Sequence, residues 1–196
     1  MGTSERAADT PVLTASEKKT LLRIARETLK SYLQTGKIPH YTFNEPGLLQ
    51  KAAAFVTLHR RNGELRGCIG RIEVTEPLYR TVQECAISAA TRDYRFQPVR
   101  NAAELDDLII EISVLSPFRR VQDLNEIEVG KHGLLIRQGY NSGLLLPQVA
   151  SERGWSREEF LRAVCMKAGL PSDAWRHAEL HVFTAEVFSE KDRTLA

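Results

Sequence analysis

A chain of 196 residues, 42% hydrophobic and 27% charged, has the make-up of a globular domain long enough for a sizeable core. Its 27 Lys and Arg stand against 25 Asp and Glu, and this net +2 lacks the clustered basic excess that would make nucleic acid a favoured partner. No apolar run approaches the roughly 20 residues of a transmembrane helix, and the N-terminus lacks the basic-then-apolar layout of a secretory leader.

Residues 1–13 are small and polar without a hydrophobic period and read as a disordered N-terminus. Thr14 and Glu17 have capping-box spacing. The run Leu21, Leu22, Ala25, Leu29, Tyr32 and Leu33 then predicts an amphipathic helix ending at Gly36. Residues 37–49, with Pro39, Pro46 and Gly47, predict an irregular connection in which His40 and Tyr41 have no evident partner.

The β-branched and aromatic run from Ala52 to Arg60 predicts a strand, and Asn62-Gly63 predicts a type I′ hairpin returning through L-R-G-C-I-G, Leu65 to Gly70. On the two-residue period of a strand, Arg66, Cys68 and Gly70 share one face. Glycine weakens a strand unless something must approach its backbone closely, which singles out Gly67 and Gly70. A thiol beside a permanent cation has its thiolate favoured, so Cys68 with Arg66 is a candidate nucleophile, with His132 a candidate base. The alternative is that Cys68 fills a small buried gap beside glycine.

Thr75-Glu76-Pro77 predicts the start of a helix carrying Leu78, Val82, Cys85, Ala86 and Ala89 on one side. It ends in T-R-D-Y-R-F-Q-P, Thr91 to Pro98, where Asp93 and Arg95 are candidate binding residues; the other reading is a surface loop held by an Asp93–Arg95 pair. Asn101 and Glu104 predict a second capping box. Leu108 to Ser116 predicts a strand whose Glu111 faces away from Ile110 and Ile112.

In V-G-K-H-G, Gly130 and Gly133 flank Lys131 and His132 and permit a turn with positive φ or a close backbone approach, which makes Lys131 a further candidate. A strand from Leu134 to Gln138, a hairpin tip at Gly139 to Gly143, a short helix over 148–153 and a helix capped by Ser156 and Glu159 follow. His181 to Ser189 alternates as one closing strand before a polar tail, 191–196.

The three cysteines lie far apart without a C-x-x-C pair, and the five histidines show no ligand spacing. Together they argue against a zinc module, a disulfide framework or a histidine metal cluster, and for a reducing cytoplasm. The common nucleotide, metalloprotease and hydrolase signatures are missing. The element order is neither strict β-α-β alternation nor all-β, so the predicted class is α+β, with a mixed or antiparallel sheet flanked by helices.

Seven stretches carry a resemblance: A-F-V-T-L at 54–58, L-R-G-C-I-G at 65–70, D-Y-R-F-Q-P at 93–98, I-E-I-S-V-L-S-P at 110–117, G-K-H-G-L at 130–134, G-L-L-L-P-Q-V-A at 143–150 and C-M-K-A-G-L-P at 165–171. The chain resembles the AMMECR domain family. The resemblance implies a single domain over 14–190 with two lobes, one inserted into the other, and a cleft between them lined partly by the hexapeptide. It also implies a likeness to component A of the AmmeMemoRadiSam system, whose expected partners are a Memo-like protein and a radical-SAM protein. This chain lacks the C-x-x-x-C-x-x-C cluster motif of the latter. The family carries over no reaction, cofactor or oligomeric state. Two functional classes follow: an enzyme using Cys68, Arg66 and His132, or a binding module.

Overall fold

The computed structural model describes residues 13–195, so the predicted disordered N-terminus lies, but for its last residue, outside the described residues. Thr14 and Glu17 form both halves of the capping box: Thr14 Oγ1 accepts from Glu17 N–H at 3.2 Å, and Glu17 accepts Thr14 N–H at 2.8 Å. Helix α1, Ala15–Thr35, buries Leu21, Ile24, Ala25 and Leu29 completely and stops at Gly36 in the left-handed region, φ 70°. Glu17 also accepts Gly47 N–H at 2.8 Å, and these bonds hold its carboxyl below the usual value. That bond ties down a one-turn helix, α2, Pro46–Leu49, within the stretch expected to be irregular; Leu48 is its buried anchor.

Strands β1, Ala54–Arg60, and β2, Leu65–Arg71, form the expected antiparallel hairpin, but not through a type I′ turn. Asn62 does not take positive φ. Gly63 N–H donates to Arg60 O at 2.9 Å, Gly63 takes φ 92°, and the Asn62 carboxamide accepts Glu64 N–H at 3.0 Å. This is a turn followed by one left-handed glycine, the pattern of a three-residue loop. The longer loop shifts the pairing so that His59 faces Leu65. An irregularity then leaves Arg66 as an extra residue, after which Leu58 faces Gly67 and Thr57 faces Cys68, the register a two-residue turn would have produced. Gly63→Val is expected to lower stability by about 1 kcal/mol, because a β-branched residue resists positive φ; an unchanged denaturant midpoint would count against it.

Helix α3, Leu78–Thr91, begins after Pro77 without a side-chain cap, so Thr75 does not play its predicted role. Asn101 Oδ1 accepts Ala103 N–H at 2.9 Å and opens a 3-10 turn over 102–107, but Glu104 does not complete the box. Strand β3, Leu108–Leu115, pairs antiparallel with β1, and β8, Ala185–Ser189, completes a sheet ordered β2-β1-β3-β8. Val56 faces Ile112 and Leu58 faces Ile110. These four side chains are fully buried in one core with α1 and α3. Each such side chain contributes about 1.5–3 kcal/mol through burial. The other face of the sheet carries the alternate residues, among them Phe55, Thr57 and Glu111. The predicted tail is not wholly free, since Leu195 packs against this core.

The chain divides into two compact units: a first, the described residues 13–114 with 186–195, and a second, residues 115–185. The second unit holds β4, Arg119–Arg120, β5, Gly133–Gln138, β6, Asn141–Leu145, and β7, Glu179–Phe183, in the order β4-β7-β5-β6. Its hairpin turns at Gly139 and Tyr140, with glycine first at φ 59°. Helices α4, Pro147–Glu152, and α5, Arg157–Lys167, follow, the latter with both halves of the Ser156–Glu159 capping box. Leu134, Ile136, Phe160, Val164, Cys165 and Val182 form its core.

The predicted single strand from His181 to Ser189 is two strands in two different sheets. The break is at Thr184, whose N–H donates to Ser116 Oγ and whose carbonyl accepts from Ser116 N–H, both at 2.9 Å. β4 is too short for a sequence period to reveal.

Candidate functional site

Strand β2 is an edge of its sheet, so the backbone groups of alternate residues point away from β1. At Cys68 both are taken up by side chains. Cys68 N–H donates to Asp93 Oδ2 at 2.9 Å, and the Cys68 carbonyl accepts from Arg95 Nη2 at 3.2 Å. Arg95 also donates to Asp93 from Nε at 2.9 Å, from Nη2 at 2.7 Å and from its backbone N–H at 3.2 Å. The loop after α3 thus stands in for a neighbouring strand, and Asp93 is only 5% exposed. Arg95, with the two backbone donors, holds the Asp93 carboxyl down at about 2. The Asp93–Arg95 pair expected on the sequence is present, and its role is to bind the backbone of the hexapeptide.

The two glycines are not open ground. A Cβ on Gly67 would lie 2.1 Å from the carbonyl oxygen of Ala89, so the glycine lets α3 lie against β2. A Cβ on Gly70 would lie 2.2 Å from the ring of Phe55, its cross-strand partner, which covers the gap. The close approaches expected at both glycines are present, and both are made by the protein itself.

Arg66 does not activate the thiol. As the extra residue of the bulge it escapes the simple alternation, and its buried guanidinium donates from Nε to Glu104 Oε1 at 2.7 Å. Glu104 is therefore the partner missed by the sequence, where it was assigned to a cap. Cys68 Sγ instead accepts from Thr57 Oγ1–H at 3.2 Å. Burial pushes the Cys68 thiol above its ordinary value, outweighing the Thr57 bond and the nearby Arg95 charge, while Asp93 and Glu111 add to the rise. The expected depressed thiol is thus corrected. Cys85 is pushed up further, to about 12, by burial first and then by Glu84; Cys165 is raised by burial.

Thr57 faces Cys68 on one side and Glu111 on the other, so three adjacent strands present a cross-strand row of thiol, hydroxyl and carboxylate. His59 Nε2 lies 3.9 Å from Glu111 Oε1, and the attraction of that carboxylate raises the imidazole's pKa. Thr57 was legible from the hairpin register; Glu111 was noted, and its neighbours could be placed only by the β1–β3 pairing.

His132 and Lys131 belong to the second unit and are engaged there. His132 Nδ1 accepts Glu128 N–H at 3.1 Å, His132 N–H donates to Glu128 O at 2.9 Å, and Lys131 Nζ lies 2.8 Å from Glu128 Oε1. Gly130 takes φ 87° to close this turn, whereas Gly133 makes room for the Phe183 ring. Burial holds His132 below the usual imidazole value, with Lys131 adding to the effect. Among the described residues no group of three or more His, Cys, Asp or Glu is arranged to hold a metal ion, and no helix is long and apolar enough to cross a membrane.

These features define an α+β protein with two antiparallel sheets and a candidate site centred on one thiol, whose strand edge is held by an aspartate–arginine pair. The AMMECR1 family profile matches residues 22–188. The chain belongs to the AMMECR1 family. Protein MK0488 of Methanopyrus kandleri is 44% identical over 189 residues, covering 92% of this chain and 91% of its own length. A Thermococcus onnurineus protein is 44% identical over 183 residues, covering 87% and 89%. The crystal structure of protein PH0010 from Pyrococcus horikoshii is similar with a TM-score of 0.83 at 42% identity, over 88% of this chain and 91% of that one.

Proposed function

We propose that this protein is the binding component of an AmmeMemoRadiSam-type system, acting in the cytoplasm and presenting the Cys68 face of its first sheet to a Memo-like or radical-SAM partner. The observation that carries the reading is the engagement of Arg66 with Glu104, together with burial that outweighs the Arg95 charge and leaves the Cys68 thiolate disfavoured. His132, the proposed base, is tied into the Glu128 turn. Beside the Cys68 edge, Tyr94 is 93% exposed and Arg95 lies 5.5 Å over the Phe96 ring, an aromatic and arginine surface of the kind that anchors interfaces.

Size-exclusion of the chain with each purified partner under reducing conditions tests this. Co-elution that survives Cys68→Ser and weakens in Tyr94→Ala is the expected result. No co-elution and no effect on either partner's activity would overturn it.

A second reading, in which Cys68 reacts, is favoured by its partial exposure where Cys85 and Cys165 are buried. Alkylation of the folded protein with peptide mapping is expected to label Cys68 before the other two, yet more slowly than an ordinary free thiol at neutral pH, because its thiolate is disfavoured. Faster labelling than a free thiol, with partner-dependent turnover lost in Cys68→Ser, would replace the binding reading with the catalytic one.

A further inference from the structure

In the second unit, the 3-10 turns over 124–126 and 174–176 border an open groove at the β4 edge of the sheet. It consists of two adjoining hollows of about 380 and 720 Å³, which share Gln122, Leu124, Trp175 and Arg176. Val121, Leu124, Trp175 and Ala178 line it half-buried, each packed against the core of the unit. These side chains are already fixed by the fold, so seating an apolar group on them costs little ordering.

The charges along the groove do not cancel. Glu158 is paired with Arg162 at 2.6 Å, which leaves Asp123 as the carboxylate set against three arginines. Arg157 is held by neutral acceptors, the Ile127 carbonyl at 3.0 Å and Asn125 Oδ1 at 2.9 Å, so its charge persists. Arg176 lies 4.4 Å over the Trp175 ring. Neither Arg176 nor Arg120 meets a carboxylate among the described residues.

β4 also offers open main chain. Val121 N–H donates to Leu180 O at 2.9 Å; by the alternation of an antiparallel pair, Arg120 therefore turns its own N–H and carbonyl away from β7. An edge of this kind pairs with another extended chain. A second copy of this protein would set Arg119 and Arg120 against the same two residues, and like charges oppose that pairing. A segment carrying carboxylates is drawn in instead.

We infer that this groove binds an extended, acidic peptide segment of a partner protein. The segment adds to the β4 edge at Arg120, places carboxylates near Arg120 and Arg176, and seats an apolar side chain against Leu124 and Trp175. The surface lies in the second unit, and the inference does not depend on the role of Cys68.

Random linear peptides are selected by display on the full chain under reducing conditions, and the enriched ones are synthesised and measured by fluorescence anisotropy. The expected consensus joins Asp or Glu to one large apolar residue. Arg120→Glu and Arg176→Glu, both at exposed positions, are each expected to weaken binding about tenfold or more. N-methylation of the peptide amide beside the apolar residue is expected to weaken it similarly. Arg137→Glu, an exposed arginine of β5 outside the groove, is expected to leave it unchanged. No acidic consensus, binding undiminished in both groove variants, an equal loss in Arg137→Glu, or full binding of the N-methylated peptide would overturn the inference. A thymine oligonucleotide that displaces the selected peptides, or a dimer of the chain that the groove variants dissolve, would replace the peptide with that occupant.

Discussion

Gly67→Ala is expected to destabilise the first unit by about 3 kcal/mol, the upper range for overpacking a close contact. The added methyl would sit 2.1 Å from the Ala89 carbonyl oxygen and 3.0 Å from its carbonyl carbon. These are backbone atoms near the end of α3, so relief requires moving the helix, and with it Val82, Ala86 and Ala89 in the core. Gly70→Ala is the contrast: its obstacle is the Phe55 side chain, which can change rotamer. The denaturant midpoint should therefore fall much further for Gly67→Ala. Equal midpoints would mean that α3 does not depend on the glycine for its approach.

Asp93→Asn is expected to cost about 2 kcal/mol at neutral pH, the worth of hydrogen bonds made to a charged acceptor. The asparagine keeps an acceptor but loses the charge that binds Arg95, and the Cys68 edge loses its anchor. The sign of the pH dependence follows from the carboxyl, which is lowered from 3.8 to about 2 in the fold. Its contribution is complete above the ordinary carboxylate value and is lost as pH falls through about 2. The stability difference between native protein and variant should then be constant from neutral pH to about 4 and shrink between there and 2. A difference that stays constant to pH 2 would mean that the charge contributes nothing.

The helices were legible because their signals are local. Thr14 with Glu17 and Ser156 with Glu159 cap within three residues, and Gly36 and Gly169 stop α1 and α5 at φ 70° because only glycine takes that angle freely. The strand faces were legible for the same reason. Val56 and Leu58 point to one side and Thr57 to the other by the pleat alone, and Glu111 likewise opposes Ile110 and Ile112.

The surroundings of Cys68 were only partly legible in the sequence. Arg66 and Cys68 are two residues apart, and alternation puts them together; the bulge that separates them depends on how the hairpin closes and on a glutamate 38 residues on. Whether the glycines of the hexapeptide serve a ligand or a neighbour could not be read from the glycines. Ala89 and Phe55 answered it by proximity.

Composition, capping signals and periodicity thus determined the α+β class, the extent of the long helices and the faces of β1 and β3, since each depends on residues within a turn or two of one another. The tertiary structure alone decided that one alternating stretch breaks at Thr184 into strands of two sheets, that Arg66 belongs to Glu104, and that the Cys68 edge belongs to Asp93 and Arg95. Each of these joins groups far apart in sequence, and which partner wins is set by burial and hydrogen-bond satisfaction across the whole unit, quantities that no local window contains.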